Sequence, residues 1–385
     1  MVGWKNGITS VFVSQSPSTS AVSKAMMELG VAGGIGSVCV EKGIVTDDSV
    51  RILSKLTVQL LLPMLLSTSI LSTFGKSNKK TMMIWTIPLI GIFHILVMFT
   101  ISHQLFSASI EDGEDECYDW RRMVVGCSSF GNSAILPILM TQSFFAKSSP
   151  QFYEQCCSYI SFYLIGWSPL FWSLGKSYMI PNNNNLKKSS SLIPTIPPPV
   201  MGVMAGIILG IITPIRQLLL PSSSSSNSII TILSMIGSSI YNCVRNFGLA
   251  AAPLSLLVLT CSLSLGQRQR QKQESSSLLW KQWRMVTFMR FVISPLVMWI
   301  LLQTISSTIL PSIKDDSALW FVLLLESCMP SAQNIVLLIQ SSTTNTMMAS
   351  QVAQLLYLIY ITAMIPIPII QSKILDHLDI QSSTP

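Results

Sequence analysis

Charged residues are scarce in this chain. Only 11% of its 385 residues are Asp, Glu, Lys or Arg, and 49% are hydrophobic. Soluble domains carry about 25% charged residues. The shortage of charge excludes an ordinary soluble protein and predicts an all-α polytopic membrane protein.

The motifs of enzymes and of nucleic-acid-binding proteins are also missing. The sequence has no phosphate-binding loop, no metal-ligand cluster and no nucleophile motif, and the acidic run at 111–119 lacks the spacing of a calcium loop. The net charge of +7 has no basic stripe interleaved with aromatic residues and is assigned to contact with anionic lipid headgroups. We therefore expect no enzymatic activity, no cofactor, no metal and no nucleic-acid partner.

Long apolar runs are what the sequence has instead. A run of about 20 apolar residues is long enough to cross a bilayer as a helix. A weaker stretch at 229–244 is interpreted as an interfacial helix. Ten spans are predicted, at about residues 21–40, 52–74, 82–106, 122–145, 152–174, 200–220, 247–265, 285–305, 318–339 and 348–370.

The spans divide into two halves. Similar apolar sequences surround Pro63 in the second span and Pro253 in the seventh. Five spans per half is an odd number, so the two repeats would be inverted in the membrane. Loop Lys and Arg residues give a small preference for an outside N-terminus. The predicted parts are an N-terminal segment 1–20, a first five-helix repeat 21–174, a polar linker loop 175–199, a second five-helix repeat 200–372 and a C-terminal tail 373–385.

Two spans contain polar breaks in corresponding positions. The polar stretch at 325–335 (LESCMPSAQNI) interrupts the ninth span, and the stretch at 127–137 (CSSFGNSAILP) interrupts the fourth. Lipid offers no hydrogen bonds to freed backbone groups, so such breaks must face protein or a cavity. Paired broken helices are typical of the binding site of a secondary transporter. We predict that Gly131, Pro137 and Pro330 produce the breaks, and that spans four and nine cross at mid-membrane.

Polar side chains at the two breaks are the predicted substrate-binding residues. The amides of Asn132 and Asn334 are expected to donate to a substrate carboxylate, and each such bond contributes about 1.5–3 kcal/mol. The alternative is that these amides only cap freed backbone groups. Gln333, Ser133 and Ser331 are the adjacent polar groups.

Glu326 lies one turn before Pro330 in the same apolar run. A carboxylate at the bilayer centre costs about 2.5–3.5 kcal/mol on insertion scales, so it should face the protein interior. It is a candidate for proton coupling. The alternative is a structural pair with Arg290 or with His94 or His103 of the third span.

At these breaks the chain resembles the auxin efflux carrier superfamily, a family of membrane transport proteins, and within it the PIN-like carriers. The ninth span keeps the family's Pro330, Ala332, Asn334 and Gln340. The fourth span keeps Gly131, Asn132, Leu136 and Pro137, but has Ala134 and Ile135 where the family has a second Gly and Asn.

The resemblance implies a ten-helix fold. Spans one, two, six and seven would form a scaffold, through which a homodimer would assemble, and the other six spans would form a transport domain. It implies small organic anions as substrates, with the indole carboxylate auxin as the type case. It favours the endoplasmic reticulum membrane, with the plasma membrane as the alternative.

The sequence thus predicts a secondary transporter, similar to an efflux carrier, that moves a small organic anion such as auxin or a related carboxylate by alternating access. One alternative is a sodium-coupled carboxylate or bile-acid-type symporter, although sodium would want more oxygen ligands at the crossing than Glu326 alone supplies. The other is a non-transporting membrane sensor on the same fold.

Overall fold

The computed structural model describes residues 27, 31, 34–76, 85–107, 115–145, 148–180, 197–220, 228–270, 276–342 and 346–378. Within these ranges the protein is almost entirely helical and forms no β-strand. The predicted N-terminal segment, most of the first span, most of the linker loop and the end of the tail lie outside the described residues.

The described residues of the first half form seven α-helices, after a helical stretch at 34–41. Two of its long helices include a π-helical turn, Thr57–Leu61 between α1 and α2 and Phe171–Gly175 between α6 and α7. The helices are α1 (Asp47–Leu56), α2 (Leu62–Lys76), α3 (Thr86–Ser107), α4 (Asp115–Ser129), α5 (Ile135–Phe145), α6 (Pro150–Leu170) and α7 (Lys176–Met179).

The part of the second half that the structure describes forms ten α-helices. A third π-helical turn, Met289–Ile293, joins α12 to α13. The helices are α8 (Pro198–Ile211), α9 (Thr213–Leu219), α10 (Ser228–Leu249), α11 (Ala251–Arg270), α12 (Ser276–Phe288), α13 (Ser294–Thr308), α14 (Ser317–Ser327), α15 (Asn334–Ser342), α16 (Thr346–Ala363) and α17 (Pro366–His377).

Four described helical stretches are long and apolar enough to cross a membrane. They are Asp47–Phe74, Thr86–Phe106, Thr231–Ser262 and Leu279–Thr308. Two bent pairs raise the count to six if each is one span, Pro198–Ile211 with Thr213–Leu219 and Gln351–Ala363 with Pro366–His377. The ten-helix inverted repeat goes beyond this count and stays a prediction.

Helices next to the two breaks are too short to cross a membrane alone. α5 and α14 have 11 residues each, or about 16 Å at the usual rise, which is half of a hydrocarbon core of about 30 Å. Across one break α4 is followed by α5, and across the other break α14 is followed by α15. That these helix ends lie at mid-membrane depth stays a prediction.

The seventh span differs from its predicted form. The expected interfacial helix at 229–244 and the expected span at 247–265 belong to one helical stretch, interrupted only at Ala250. Pro253 explains the interruption, because its ring lacks an N–H for the carbonyl of Leu249 and crowds that carbonyl. α10 contacts α2 and α11 contacts α1, so the stretch runs antiparallel to the second span.

The sixth span also differs from its predicted form. A bend of 102° separates α8 from α9, so the predicted run at 200–220 is not one straight helix. Pro214 has no N–H for the carbonyl of Gly210. The guanidinium of Arg216 donates to that carbonyl at 3.0 Å, which satisfies the group that the proline leaves open.

A glycine stripe on α8 brings its backbone against α2. A Cβ added at Gly206 would lie 2.8 Å from the carbonyl oxygen of Ser67, and one added at Gly202 would lie 2.5 Å from Cα of Pro63. Helices in lipid associate through close packing rather than through hydrophobic exclusion, and small residues permit the approach. The stripe therefore holds the sixth span on the second.

We expect Gly206→Ala to lower the melting temperature of the detergent-solubilised protein, because the new methyl group would force two backbones apart. Overpacking of this kind typically costs about 1–3 kcal/mol. Gly34→Ala is the matched control, since a Cβ there meets nothing within 4 Å. Equal melting temperatures for the two variants would show that the α8–α2 contact is not a tight one.

Candidate functional site

The fourth and ninth spans are both interrupted. Residues 130–134 separate α4 from α5, and residues 328–333 separate α14 from α15. Gly131 and Pro330 lie within these breaks. Pro137 does not, because it is the third residue of α5. As the third residue it has no N–H for the carbonyl of Ser133 and keeps α5 from extending back through the break, so the prediction that Pro137 helps to produce the break stays a prediction.

The two breaks are joined by their backbones. Gly131 and Ser331 form an antiparallel bridge. The N–H of Asn132 donates to the carbonyl of Pro330 at 2.8 Å, and the N–H of Ala332 donates to the carbonyl of Phe130 at 2.9 Å. Each break thus supplies the hydrogen bonds that the other lost, which lipid does not provide.

Serine hydroxyls satisfy further carbonyls at the helix ends. Ser331 donates to the carbonyl of Cys127 at 2.6 Å, and Ser294 of α13 donates to the carbonyl of Ser327 at 2.7 Å. The last carbonyls of a helix have no partner within the helix. Ser331 is predicted to bind substrate, and in this structure its hydroxyl is bonded to the backbone.

Arg290 lies between the two breaks. It belongs to the π-helical turn Met289–Ile293, and its side chain is only 1% exposed. Its Nε and Nη2 atoms donate to the carbonyl of Met329 at 2.9 and 2.6 Å. A Cβ added at Gly131 would lie 2.1 Å from Nη2, so the guanidinium fills the space that a side chain there would need.

Asn132 is buried and already has a partner. Its amide nitrogen donates to the hydroxyl of Tyr360 on α16 at 2.8 Å. The tyrosine comes from the tenth span, which the sequence did not connect with the fourth. A substrate carboxylate would have to displace this hydroxyl to receive the Asn132 hydrogen bond.

Asn334 has a different position from Asn132. It is the first residue of α15 and is half-buried. It follows the bridge residue Ser331 by three positions, whereas Asn132 follows Gly131 by one. One amide therefore lies in the extended segment and the other at a helix N-terminus. That both line one substrate pocket stays a prediction.

Glu326 is buried in the last turn of α14, inside the protein as expected. It is 1% exposed, and neither carboxylate oxygen has a hydrogen-bond partner. The hydroxyl of Ser133 and the guanidinium of Arg290 are among the groups that act on it electrostatically. The Ser133 hydroxyl itself donates to the carbonyl of Gly131 at 3.2 Å. An unsatisfied buried carboxylate is costly, so Glu326 stays a candidate for proton coupling.

Gln333 is a second buried group that lacks a partner. The side chain is 4% exposed, and its amide nitrogen has no hydrogen bond. It lies directly before α15, at the N-terminal end of that half-helix. A donor in this position is available to a ligand.

The two histidines of the third span have different surroundings. His94 is buried, and its Nε2 lies 3.2 Å from the backbone oxygen and 3.3 Å from the hydroxyl of Ser294. His103 is exposed and contacts the rings of Phe99 and Tyr178. Of the structural partners proposed for Glu326, Arg290 is the one that acts on it.

The sequence analysis missed several residues of this site. Tyr360 and Ser294 carry no pattern that separates them from other polar residues of apolar spans. Arg290 was treated only as a partner for Glu326, although a lone charge in the apolar run 285–305 is by itself a functional signal.

We expect Gly131→Ala to destabilise the protein by about 1–3 kcal/mol, because the methyl group would push the buried guanidinium of Arg290 off the Met329 carbonyl. Thermal unfolding measures the effect, with Gly34→Ala as the control in open space. A Gly131→Ala variant as stable as Gly34→Ala would mean that the guanidinium moves without cost.

A comparison with family models finds one match. Residues 21–193 match the family described as "Membrane transport protein", a stretch that includes the break at 130–134. No curated protein matches the chain. The family consists of transporters rather than enzymes, and with the apolar helices it indicates an integral membrane protein. Residues 21–193 are thus similar to the membrane transport protein family, the family of the auxin efflux carriers.

Proposed function

We propose that this transporter is a secondary carrier for small organic anions, with auxin or a related carboxylate as the expected substrate, and that it works by alternating access. The observation that carries the proposal is a pair of buried polar groups without partners where two broken helices meet. A buried donor left unpaired costs about 1–3 kcal/mol. A ligand that accepts a hydrogen bond from Gln333 would recover that cost, and an anion would bind beside Glu326 only when that carboxylate is protonated.

The expected charge of the substrate follows from the helix ends. α5 and α15 both begin at the breaks, and a helix N-terminus carries a partial charge of about +0.5. A carboxylate between two such ends would be stabilised by both. The half-buried amide of Asn334 and the amide of Asn132, once released from Tyr360, would supply directional hydrogen bonds.

Glu326 is proposed as the residue that couples transport to a proton. A single proton would remove the charge from a buried carboxylate that has no hydrogen bond, so its protonation state would differ between a bound and an empty site. Arg290 and Ser133 act on it directly.

The membrane environment and assembly are also proposed. We favour the ten-helix inverted repeat, with the endoplasmic reticulum membrane as the location and the plasma membrane as the alternative. Large apolar side chains on α10 support contact with lipid or with a second copy in a homodimer through the scaffold helices. They include Ile232, Met235, Ile236 and Ile240, each more than half exposed.

Uptake into proteoliposomes tests the function directly. Labelled indole and aliphatic carboxylates would be offered at several pH values, and we expect saturable uptake of at least one of them. Binding without uptake would favour the non-transporting sensor. Neither binding nor uptake of any carboxylate would reject the proposal.

We expect Asn132→Ala and Asn334→Ala each to weaken anion binding about tenfold or more, since each would remove a donor worth about 1–3 kcal/mol. The measurement is titration of the purified protein with the transported carboxylate. Asn242→Ala, an exposed asparagine of α10, is the matched control and should bind normally. Normal binding by both site variants would mean that these amides only hold the backbone.

We expect Glu326→Gln to remove the pH dependence of uptake, because the neutral amide no longer exchanges a proton. Initial rates across a range of imposed pH gradients provide the measurement. Glu154→Gln, at an exposed position of α6, controls for the loss of a carboxylate elsewhere. An unchanged pH profile in Glu326→Gln would reject proton coupling through this residue.

A further inference from the structure

The proposed function assigns no separate role to the guanidinium of Arg290, although it is a buried charge. It is fully buried. Among the described residues, both of its hydrogen bonds go to one backbone carbonyl, that of Met329. The nearby carboxylate of Glu326 receives no hydrogen bond from it. The cation is therefore hydrogen-bonded to the broken backbone and not to Glu326.

The contacts of Arg290 are placed alike on the two broken helices. α4 ends at Ser129 and α14 ends at Ser327. Gly131, against which the guanidinium packs, and Met329, to which it donates, are each the second residue beyond those ends. One side chain of the eighth span thus lies at both helix C-termini.

Two helix ends supply a counter-charge for the guanidinium in addition to the nearby carboxylate of Glu326. A helix C-terminus carries a partial charge of about −0.5, so two such ends together attract about one positive charge, which is the charge of one guanidinium. In carriers with discontinuous helices, C-terminal half-helix ends and unwound carbonyls are the groups that coordinate a coupling cation. Arg290 occupies the equivalent position here.

The local backbone also directs the side chain. Arg290 belongs to a π-helical turn that ends two residues before Pro295. Side chains in a π-helical turn point in other directions than they would in a regular α-helix. Such turns are frequent at functional sites. The proline removes a backbone donor just beyond the turn. Both features hold the guanidinium toward the breaks.

We propose that Arg290 is a tethered cation that takes the place of a bound alkali metal ion at the crossing of the two broken helices. The inference rests on the proposed carrier function, and it separates this protein from a sodium-coupled symporter. Anion transport then proceeds without sodium. Removal of the guanidinium leaves a site, formed by backbone carbonyls and two helix ends, that accepts a small free cation.

Thermal unfolding of the purified protein without any organic anion tests the site itself. The probes are guanidinium chloride and sodium chloride at millimolar concentration, each compared with choline chloride. We expect Arg290→Ala to melt at a lower temperature than the wild type and to be restored in part by guanidinium or sodium, since ligands that bind only the folded state raise its stability. The wild type should not respond.

Arg284→Ala is the matched control, because this exposed arginine lies on α12 in the same span. It should behave as the wild type in all three salts. A folded Arg290→Ala variant whose melting temperature is the same in all three salts would overturn the proposal. An equal rise with guanidinium or sodium in all proteins would also overturn it, since it would come from the salt and not from the site.

A second pair of variants decides the matter if Arg290→Ala does not fold. Arg290→Lys keeps the charge, and Arg290→Gln keeps one donor without the charge. We expect the Lys variant to retain uptake and the Gln variant to lose about tenfold or more. Equal uptake by the two variants would show that charge is not required and would overturn the proposal.

Uptake by the wild type completes the test. Replacing external sodium with choline should leave the initial rate unchanged, and a sodium requirement would contradict the tethered cation. If the wild type transports no carboxylate at all, the proposed function fails, whereas the melting temperatures still decide whether Arg290 occupies a cation site.

Discussion

Two backbone hydrogen bonds hold the centre of this protein together. They join the break in the fourth span to the break in the ninth, from Asn132 to Pro330 and from Ala332 to Phe130. Lipid offers no partner for such groups, so each interruption is tolerated only because the other is present. Two half-membrane helices therefore meet at one point, and the polar groups of both breaks collect there.

The buried polar side chains around this point are of two kinds, those with a hydrogen-bond partner and those with atoms that lack one. Ser331, Ser294 and Arg290 all bond to backbone carbonyls, and these contacts fix the helix ends. Glu326 and Gln333 are equally buried but have atoms without partners. Unsatisfied buried groups of this kind call for an explanation, and the proposed anion supplies one for Gln333.

Sequence reasoning located the breaks but not their register. Polar residues in apolar runs are costly in lipid, so the interruptions near Asn132 and Asn334 and the burial of Glu326 follow from the pattern alone. The bridge between Gly131 and Ser331 depends on tertiary contact across two hundred residues. The same is true of the bond from Asn132 to Tyr360, and no local pattern encodes either.

Amide hydrogen–deuterium exchange with and without a transported carboxylate tests the central claim most directly, namely that an organic anion binds where the two breaks meet. The account predicts slower exchange on anion addition in peptides covering 130–135 and 328–335, with α10 unchanged as an internal reference. Exchange that slows elsewhere but not in these two segments, at a concentration where the anion is bound, would contradict the account.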